Sequence, residues 1–269
     1  MQDDREQGGA RGEDAAGAPP FLYSHVRDAA DAAARNRLLA ALTAADLGRL
    51  VPHLERVHLA CGAVLLEPRA ELTHVWFPET CVVSLIIPMR DGGGAEALTV
   101  GREGMLAFVA ALGSRRTIAR SVAQVPGTAL RLPVGPLRAA FAASPRVRRV
   151  CLSYVEAVLV QLLQTVACNA LHGAEARLAR WLLLFQDRLE GAAELPLTQE
   201  LLAGMLGLRR GTINEAARAL ERAGLIVTHR GRLTVRDRAG LEAASCECYA
   251  ALRAHYEQLL PPAAEPPAG

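Results

Sequence analysis

Thr198-Gln199-Glu200-Leu201-Leu202-Ala203-Gly204-Met205-Leu206-Gly207-Leu208-Arg209-Arg210-Gly211-Thr212-Ile213-Asn214-Glu215-Ala216-Ala217-Arg218-Ala219-Leu220-Glu221-Arg222 is the most informative run in the chain. Thr198 is a residue type that caps a helix by offering its hydroxyl to unpaired N–H groups. A short helix follows through Leu206, and Gly207 stands where a left-handed glycine ends one. A second helix then runs to about Arg222. Ala203 is small where the two would cross, and Leu202, Leu206, Ile213 and Leu220 can fill one core. The pattern predicts a helix-turn-helix. An ordinary helical hairpin shares the outline, so the flanking sequence has to separate the two.

Downstream, Ala223-Gly224 stops the helix. Leu225 to His229 reads as a strand, Arg230-Gly231 as a tight turn and Arg232 to Val235 as the return strand. A β-hairpin directly after a helix-turn-helix is a wing. From Arg209 to Arg238 there are eight arginines against Glu215, Glu221 and Asp237, an excess of five positive charges, whereas the whole chain carries only +2. A local patch of this kind is what attraction to phosphate requires. All thirty basic residues are arginine, the side chain that grips phosphate and guanine bidentately.

Upstream, Pro145 to Ala170 is a long helix with two apolar stripes. Cys151, Tyr154, Val158, Gln161, Thr165 and Cys168 recur at 3-4-3-4-3 spacing; Leu152, Val155, Leu159, Leu162 and Val166 form the other stripe. A helix with two apolar stripes has two partners. Cys151, Tyr154, Val158, Gln161 and Thr165 are expected to form a homodimer interface, with the other stripe on the β-domain. His172-Gly173 ends this helix. Another spans about Ala174 to Leu189, with Leu178, Trp181, Leu182 and Phe185 on one face, and 191–195 reads as a loop. Between Val57 and Leu132, short apolar runs are cut by turn residues at roughly ten-residue spacing, the pattern of a small antiparallel sandwich or roll. Gly92-Gly93-Gly94 reads as a hairpin loop, and residues 21–55 read as helical.

The expected class is therefore α+β. A flexible tail (1–20) precedes a β-roll sensor domain with N-terminal helices (21–144). A dimerisation helix (145–171), a winged helix-turn-helix (172–238), a C-terminal helix (239–260) and a Pro-rich tail (261–269) follow. At 269 residues and 51% hydrophobic content, global disorder is excluded. No run approaches 18 uninterrupted apolar residues, so no membrane contact is expected. Met1 to Pro20 has no apolar core and does not read as a signal peptide, which makes the cytoplasm the default. Of the six cysteines only Cys246-Glu247-Cys248 is close-spaced. Without further ligands at recognisable spacing, the thiols read as structural and no metal site is expected.

The order β-roll, long helix, winged helix-turn-helix resembles the Crp/Fnr superfamily of bacterial transcription regulators over roughly residues 35–236. The match is specific from Leu201 to Leu225. It is looser in the roll, where Val64 to Pro68, Val75 to Leu85 and Val100-Gly101-Arg102-Glu103-Gly104 carry it. The resemblance implies a homodimer on double-stranded DNA, with RNA polymerase as a further partner and an unidentified small-molecule effector. Arg209, Arg210, Thr212, Asn214, Glu215 and Arg218 are expected at the bases, with Arg230 and Arg232 of the wing on phosphates. Where the family has Ser-Arg and later an Arg, this chain has Arg209-Arg210 and Glu215, so the family's usual half-site does not carry over. Thr212 and Glu215 also make a Thr-x-x-Glu capping box, which suggests a later helix start.

The sensor departs further. Cyclic-nucleotide binders of the family carry Gly-Glu-Leu, then Arg-Ser/Thr-Ala. Here the first element reads Gly104-Met105-Leu106, and Arg120-Ser121-Val122 is what remains of the second. Arg120 and Ser121 are thus the weak effector candidates, and cyclic AMP is not expected to be the effector. The iron–sulfur members' N-terminal Cys cluster is missing, since only Cys61 and Cys81 precede the long helix; a haem held by His74 or Cys81 stays open against the ordinary structural reading of a lone histidine, and the cofactor is unknown. A competing class is a small-molecule signalling module whose winged domain binds protein; the arginine excess argues against it. No catalytic triad or paired carboxylates point to an enzyme.

Overall fold

The computed structural model describes residues 22–33, 35–90 and 93–259. The expected tails at 1–20 and 261–269 lie outside the described residues. The N-terminal half is built on two four-stranded antiparallel sheets. The first orders β1 (Leu22–His25), β2 (Glu55–Leu59), β8 (Gly127–Pro133) and β4 (His74–Pro78). The second orders β3 (Val64–Leu66), β7 (Arg120–Val125), β5 (Val82–Pro88) and β6 (Gly94–Val100). Val57, Val75, Phe77, Leu130 and Leu132 from the first sheet share one core with Val83, Leu98 and Ala123 from the second. The antiparallel sandwich expected from the spacing of turn residues is what forms. Strand β5 pairs with β6 across the glycine-rich connection, and the ladder reaches Pro88–Gly94.

The N-terminal segment differs from expectation. Residues 22–25 form β1, in register with β2 from Leu22–His58 to His25–Glu55. Only short helices follow: α1 (Ala29–Ala33), α2 (Arg37–Ala40) and α3 (Ala44–Leu50). Asn36 and Thr43 explain the breaks, because each caps the helix after it through its side-chain oxygen. A further helix, α4 (Val134–Ala143), follows the last strand of the roll.

Helix α5 (Pro145–Leu171) begins with Pro145 in its first turn and the Ser144 hydroxyl accepting from the Val147 N–H at 3.3 Å. One 18-residue window of α5 has mean hydropathy 1.6, enough by length and composition alone to cross a membrane. One side of the helix is packed against the β-domain, however, which is equally the habit of a core helix. The stripe assigned to a partner subunit turns inward. Cys151, Tyr154, Val158 and Gln161 are all buried within the chain, and Thr165 is half-buried. Tyr154 packs edge-on against Phe108 at 5.8 Å. It also lies so close to Gly104 that a Cβ there would fall 2.3 Å from the phenol oxygen. The surface of α5 instead carries Leu152, Leu159, Leu163 and Val166, the last three 55%, 62% and 69% exposed. The misassignment has a simple cause: both stripes have helical spacing, and only the sandwich decides which one it covers.

The C-terminal half has its own core around α6 (Ala174–Arg188), with Leu178, Trp181, Leu182 and Phe185 buried. Helices α7 (Gln199–Leu206) and α8 (Arg210–Arg222) add Leu202, Leu206, Ile213 and Leu220 to it. Strands β10 (Ile226–His229) and β11 (Arg232–Val235) form the hairpin, and β9 (Glu194–Leu195) pairs with β11 as a third strand where a loop was expected. The single C-terminal helix expected over 239–260 is two helices, α9 (Arg238–Ala244) and α10 (Cys248–Leu259). Ser245, Cys246 and Glu247 interrupt them, and α10 packs back along α5.

Candidate nucleic-acid interface

Local chemistry builds the helix-turn-helix. The Thr198 hydroxyl accepts from the Leu201 N–H at 3.1 Å and starts α7. Gly207, at φ +61°, ends it in the left-handed conformation that side chains resist. Arg209 precedes α8 in extended backbone, and no side chain caps the first N–H groups of that helix. Those donors are left to face whatever anion approaches. The expected Thr212–Glu215 capping box does not form, because α8 already starts at Arg210 and Thr212 lies within its first turn. Arg209 reaches the N-cap position first, and the helix runs on without a break.

With 3.6 residues per turn, burial of Ile213, Ala216, Ala217 and Leu220 turns Gly211, Glu215, Arg218 and Arg222 outward together. Gly211 leaves the outer face of the first turn bare: a Cβ there would meet nothing within 4 Å. Arg209 and Arg210 are exposed beside it, whereas Thr212 and Asn214 are half-buried on the flanks. The Asn214 Oδ1 is enclosed without a hydrogen-bond partner. Arg222 was not among the expected readers. Its spacing of seven residues from Glu215 and four from Arg218 is the signal that locates it.

The wing is tied to α8. Glu221 Oε1 accepts from the Thr228 N–H at 2.7 Å and from the Thr228 hydroxyl. This half-buried carboxylate is therefore engaged in holding the wing to α8. Gly231, at φ +80°, closes the two-residue turn between His229 and Arg232. Arg230 is exposed at the tip, while Arg232 pairs with Glu194 at 3.3 Å. Arg238 is drawn inward to Asp187, Glu242, Gln186 and Tyr249. The basic face is thus Arg209, Arg210, Arg218, Arg222, Arg230 and Arg236. All six are exposed and make no ion pair among the described residues.

The sensor candidates do not converge. Arg120 is exposed and pairs with Glu67 at 3.3 Å. Ser121 is buried, and its hydroxyl has no partner. Neither lines the cavity of about 480 Å³ between the β-domain and the C-terminal domain. Met105 is fully buried. Glu103, the acid nearest the missing position, is committed elsewhere: it pairs with Arg188 of α6 at 2.9 Å and accepts from the Gly101 N–H. Gln161, expected between subunits, accepts from the Tyr256 hydroxyl at 2.9 Å and lies 3.5 Å from the Arg188 guanidinium. Burial works against the Arg188 charge, but Glu103 and its neighbours outweigh it and hold the group more firmly protonated than usual.

One grouping was not foreseen. Cys246 and Cys248 meet Cys168 and His172, with all four ligand atoms within 4.8 Å of one another. Burial pushes the Cys168 thiol up to about 12, partly offset by Arg180, and burial also raises Cys246. The ligands come from segments 78 residues apart, so no spacing within one segment announces them.

Residues 176–244 match the Crp-like helix-turn-helix domain. No curated protein matches the chain. Among solved structures, the chain is similar to FixK2 from Bradyrhizobium japonicum, at 16% identity over 71% of this chain and 96% of that one, with a TM-score of 0.62. It is likewise similar to a Crp/Fnr-family regulator from Eubacterium rectale, at 18% identity, 76% and 94% coverage and a TM-score of 0.60. A Crp/Fnr-family regulator from Thermus thermophilus matches at 22% identity, 71% and 97% coverage and a TM-score of 0.60. At such identities these likenesses establish the fold, α+β with a C-terminal helix-turn-helix. The domain match adds what the fold alone does not: residues 176–244 are a Crp-like helix-turn-helix domain.

Proposed function

We propose that the protein binds a near-palindromic DNA site as a homodimer, with α8 in the major groove and the wing on the flanking backbone. The observation that carries this reading is the single outward face of Glu215, Arg218 and Arg222, framed by Arg209, Arg210 and Arg230, on a chain of nearly neutral net charge. Arginine reads guanine bidentately, and a glutamate accepts from cytosine N4. The uncapped start of α8 suits a phosphate oxygen. Arg209, Arg210 and Arg218 keep their expected role, Arg222 joins them, and Thr212 and Asn214 are secondary because they are half-buried. Arg230 holds phosphate at the wing tip; Arg232 does so only by leaving Glu194, a change that costs little for so exposed a pair.

Dimerisation uses the outer stripe of α5. Leu152, Glu156, Leu159, Leu163, Val166 and Ala170 are exposed at 4-3-4-3-4 spacing, the seam of a two-stranded coiled coil. Regulation from such a site implies an encounter with RNA polymerase, and the compartment is the cytoplasm.

Selection from a random DNA pool tests the proposal: recovered sites should hold two related half-sites about one helical turn, ~34 Å, apart. Arg218→Ala should cost about 1–3 kcal/mol on the selected site and relax preference at one base pair. Arg230→Ala should weaken all sequences alike and flatten the salt dependence by about one unit of slope. If both changes relax the same base pair, the division of labour is wrong.

The effector is not cyclic AMP. A bound cyclic nucleotide needs a cation for its phosphate and an acceptor for its ribose hydroxyl, since both lose water on entry. Met105 offers only a buried thioether, and Arg120 is exposed and paired with Glu67. Calorimetric titration with cyclic AMP or cyclic GMP is expected to give no saturable heat at micromolar ligand. Such heat, abolished by Arg120→Ala, would overturn this.

A further inference from the structure

We propose that Cys168, His172, Cys246 and Cys248 form a mononuclear zinc site that clamps the end of α5 to the C-terminal domain. The spacing of the donor atoms carries the proposal. A tetrahedral ion bound at about 2.3 Å to sulfur and about 2.0–2.1 Å to nitrogen sets its ligand atoms roughly 3.6–3.8 Å apart. Cys168 Sγ and Cys246 Sγ stand 3.5 Å apart, Cys248 Sγ and His172 Nδ1 3.6 Å, and no pair exceeds 4.8 Å. Three thiolates and one imidazole around a single closed position are a donor set of structural zinc. A cluster of several irons would spread its ligands further.

The surroundings fit an ion as well. His172 Nε2 lies 3.3 Å from Glu247 Oε2, so a ring bound through Nδ1 would donate its other N–H to a carboxylate. That arrangement fixes the tautomer and orients a histidine ligand. Gln164 Nε2 approaches Cys248 Sγ at 3.0 Å, where an amide donor supports a thiolate. Three thiolates leave a net negative charge around a divalent ion, and the buried Arg180 stands near Cys168 with its Nε unpartnered. The three cysteines are buried, and among the described residues the apolar side chain packed against them is the small, partly buried Ala176.

The placement gives the ion a mechanical role. Cys168 and His172 occupy the last turn and the cap of α5, directly before Gly173 and α6. Cys246 lies in the break between α9 and α10, and Cys248 is the first residue of α10. One ion therefore ties the joint between the dimer helix and the DNA-binding domain to α10, and its binding free energy adds to the stability of that joint.

Metal analysis of the purified full-length protein, with cobalt titration of the chelator-treated sample, tests the site. About one zinc per chain is expected, together with the thiolate-to-cobalt charge-transfer and d–d bands of a tetrahedral site. Cys246→Ser and Cys248→Ser should each lose most of the zinc, and Cys61→Ser, at an exposed thiol remote from the cluster, should keep it. Should the serine variants fail to fold, Glu247→Gln serves instead. It spares every ligand and is expected to weaken zinc affinity about 10-fold or more. Three results would each overturn the proposal: a protein that takes up neither zinc nor cobalt at micromolar metal, zinc retained in full by Cys246→Ser, or a Cys168–Cys246 disulfide in the protein purified without reductant. The last would make the pair a redox couple.

Discussion

Glu103→Ala is expected to destabilise the protein by about 3–5 kcal/mol, the range for removing one partner of a buried ion pair. Arg188 is enclosed at the contact between the β-domain and α6, and Glu103 is its carboxylate partner, at 2.9 Å. Alanine would leave the guanidinium with Gln161, Tyr256 and the Leu184 carbonyl as its polar neighbours and without its paired carboxylate, Glu96 being the weaker acidic influence that remains. For a chain of this length such a loss lowers Tm by roughly 10 °C. The double replacement Glu103→Leu with Arg188→Leu should recover much of the stability, because no charge is then left buried. Thermal unfolding of the wild type, Glu103→Ala and the double variant checks it. A Glu103→Ala protein that melts with the wild type would mean that water reaches Arg188 and the pair is ornamental. The same pair explains why an acid so near the missing effector position does not serve the effector: it joins two domains.

The parts legible in the sequence are those set by local chemistry. Thr198, Gly207 and the aliphatic positions of 198–222 specify two helices and a turn whatever surrounds them, and the structure keeps them. The strands between Val57 and Leu132 were equally readable, because turn residues punctuate them. Strand β1 was not, since residues 22–25 owe their extended form to pairing with β2 at positions distant in the sequence, from Leu22–His58 to His25–Glu55. Choosing between the stripes of α5 failed for a related reason. Gln161 looked like a weak position in a dimer seam, yet it is where α5 meets Tyr256 and Arg188. The expected basic patch survives with its membership changed: Arg238 and Glu221 are consumed by internal bonds, and Arg222 is released to the surface. The cysteine–histidine grouping required the fold itself, since neither Cys168-x-x-x-His172 nor Cys246-x-Cys248 signals a metal alone.

Leu163→Arg is expected to give a folded monomer that binds the selected DNA site about 10²–10⁴-fold more weakly, the factor lost when two linked half-site contacts become one. Leu163 sits in the middle of the outer stripe of α5 and is 62% exposed in the single chain, so the substitution leaves the protomer's core intact. In a two-fold dimer built on that stripe, each new guanidinium faces its symmetry mate in a desolvated seam, where like charges repel. The contrasting variant is Val158→Arg. Val158 is 2% exposed within the protomer, so a charge there is expected to lower thermal stability sharply, whatever the oligomeric state. Light scattering with thermal unfolding on both variants separates the two faces. A Leu163→Arg protein that stays dimeric and keeps its operator affinity would place the interface elsewhere. A Val158→Arg protein that is monomeric but as stable as wild type would return it to the inner stripe.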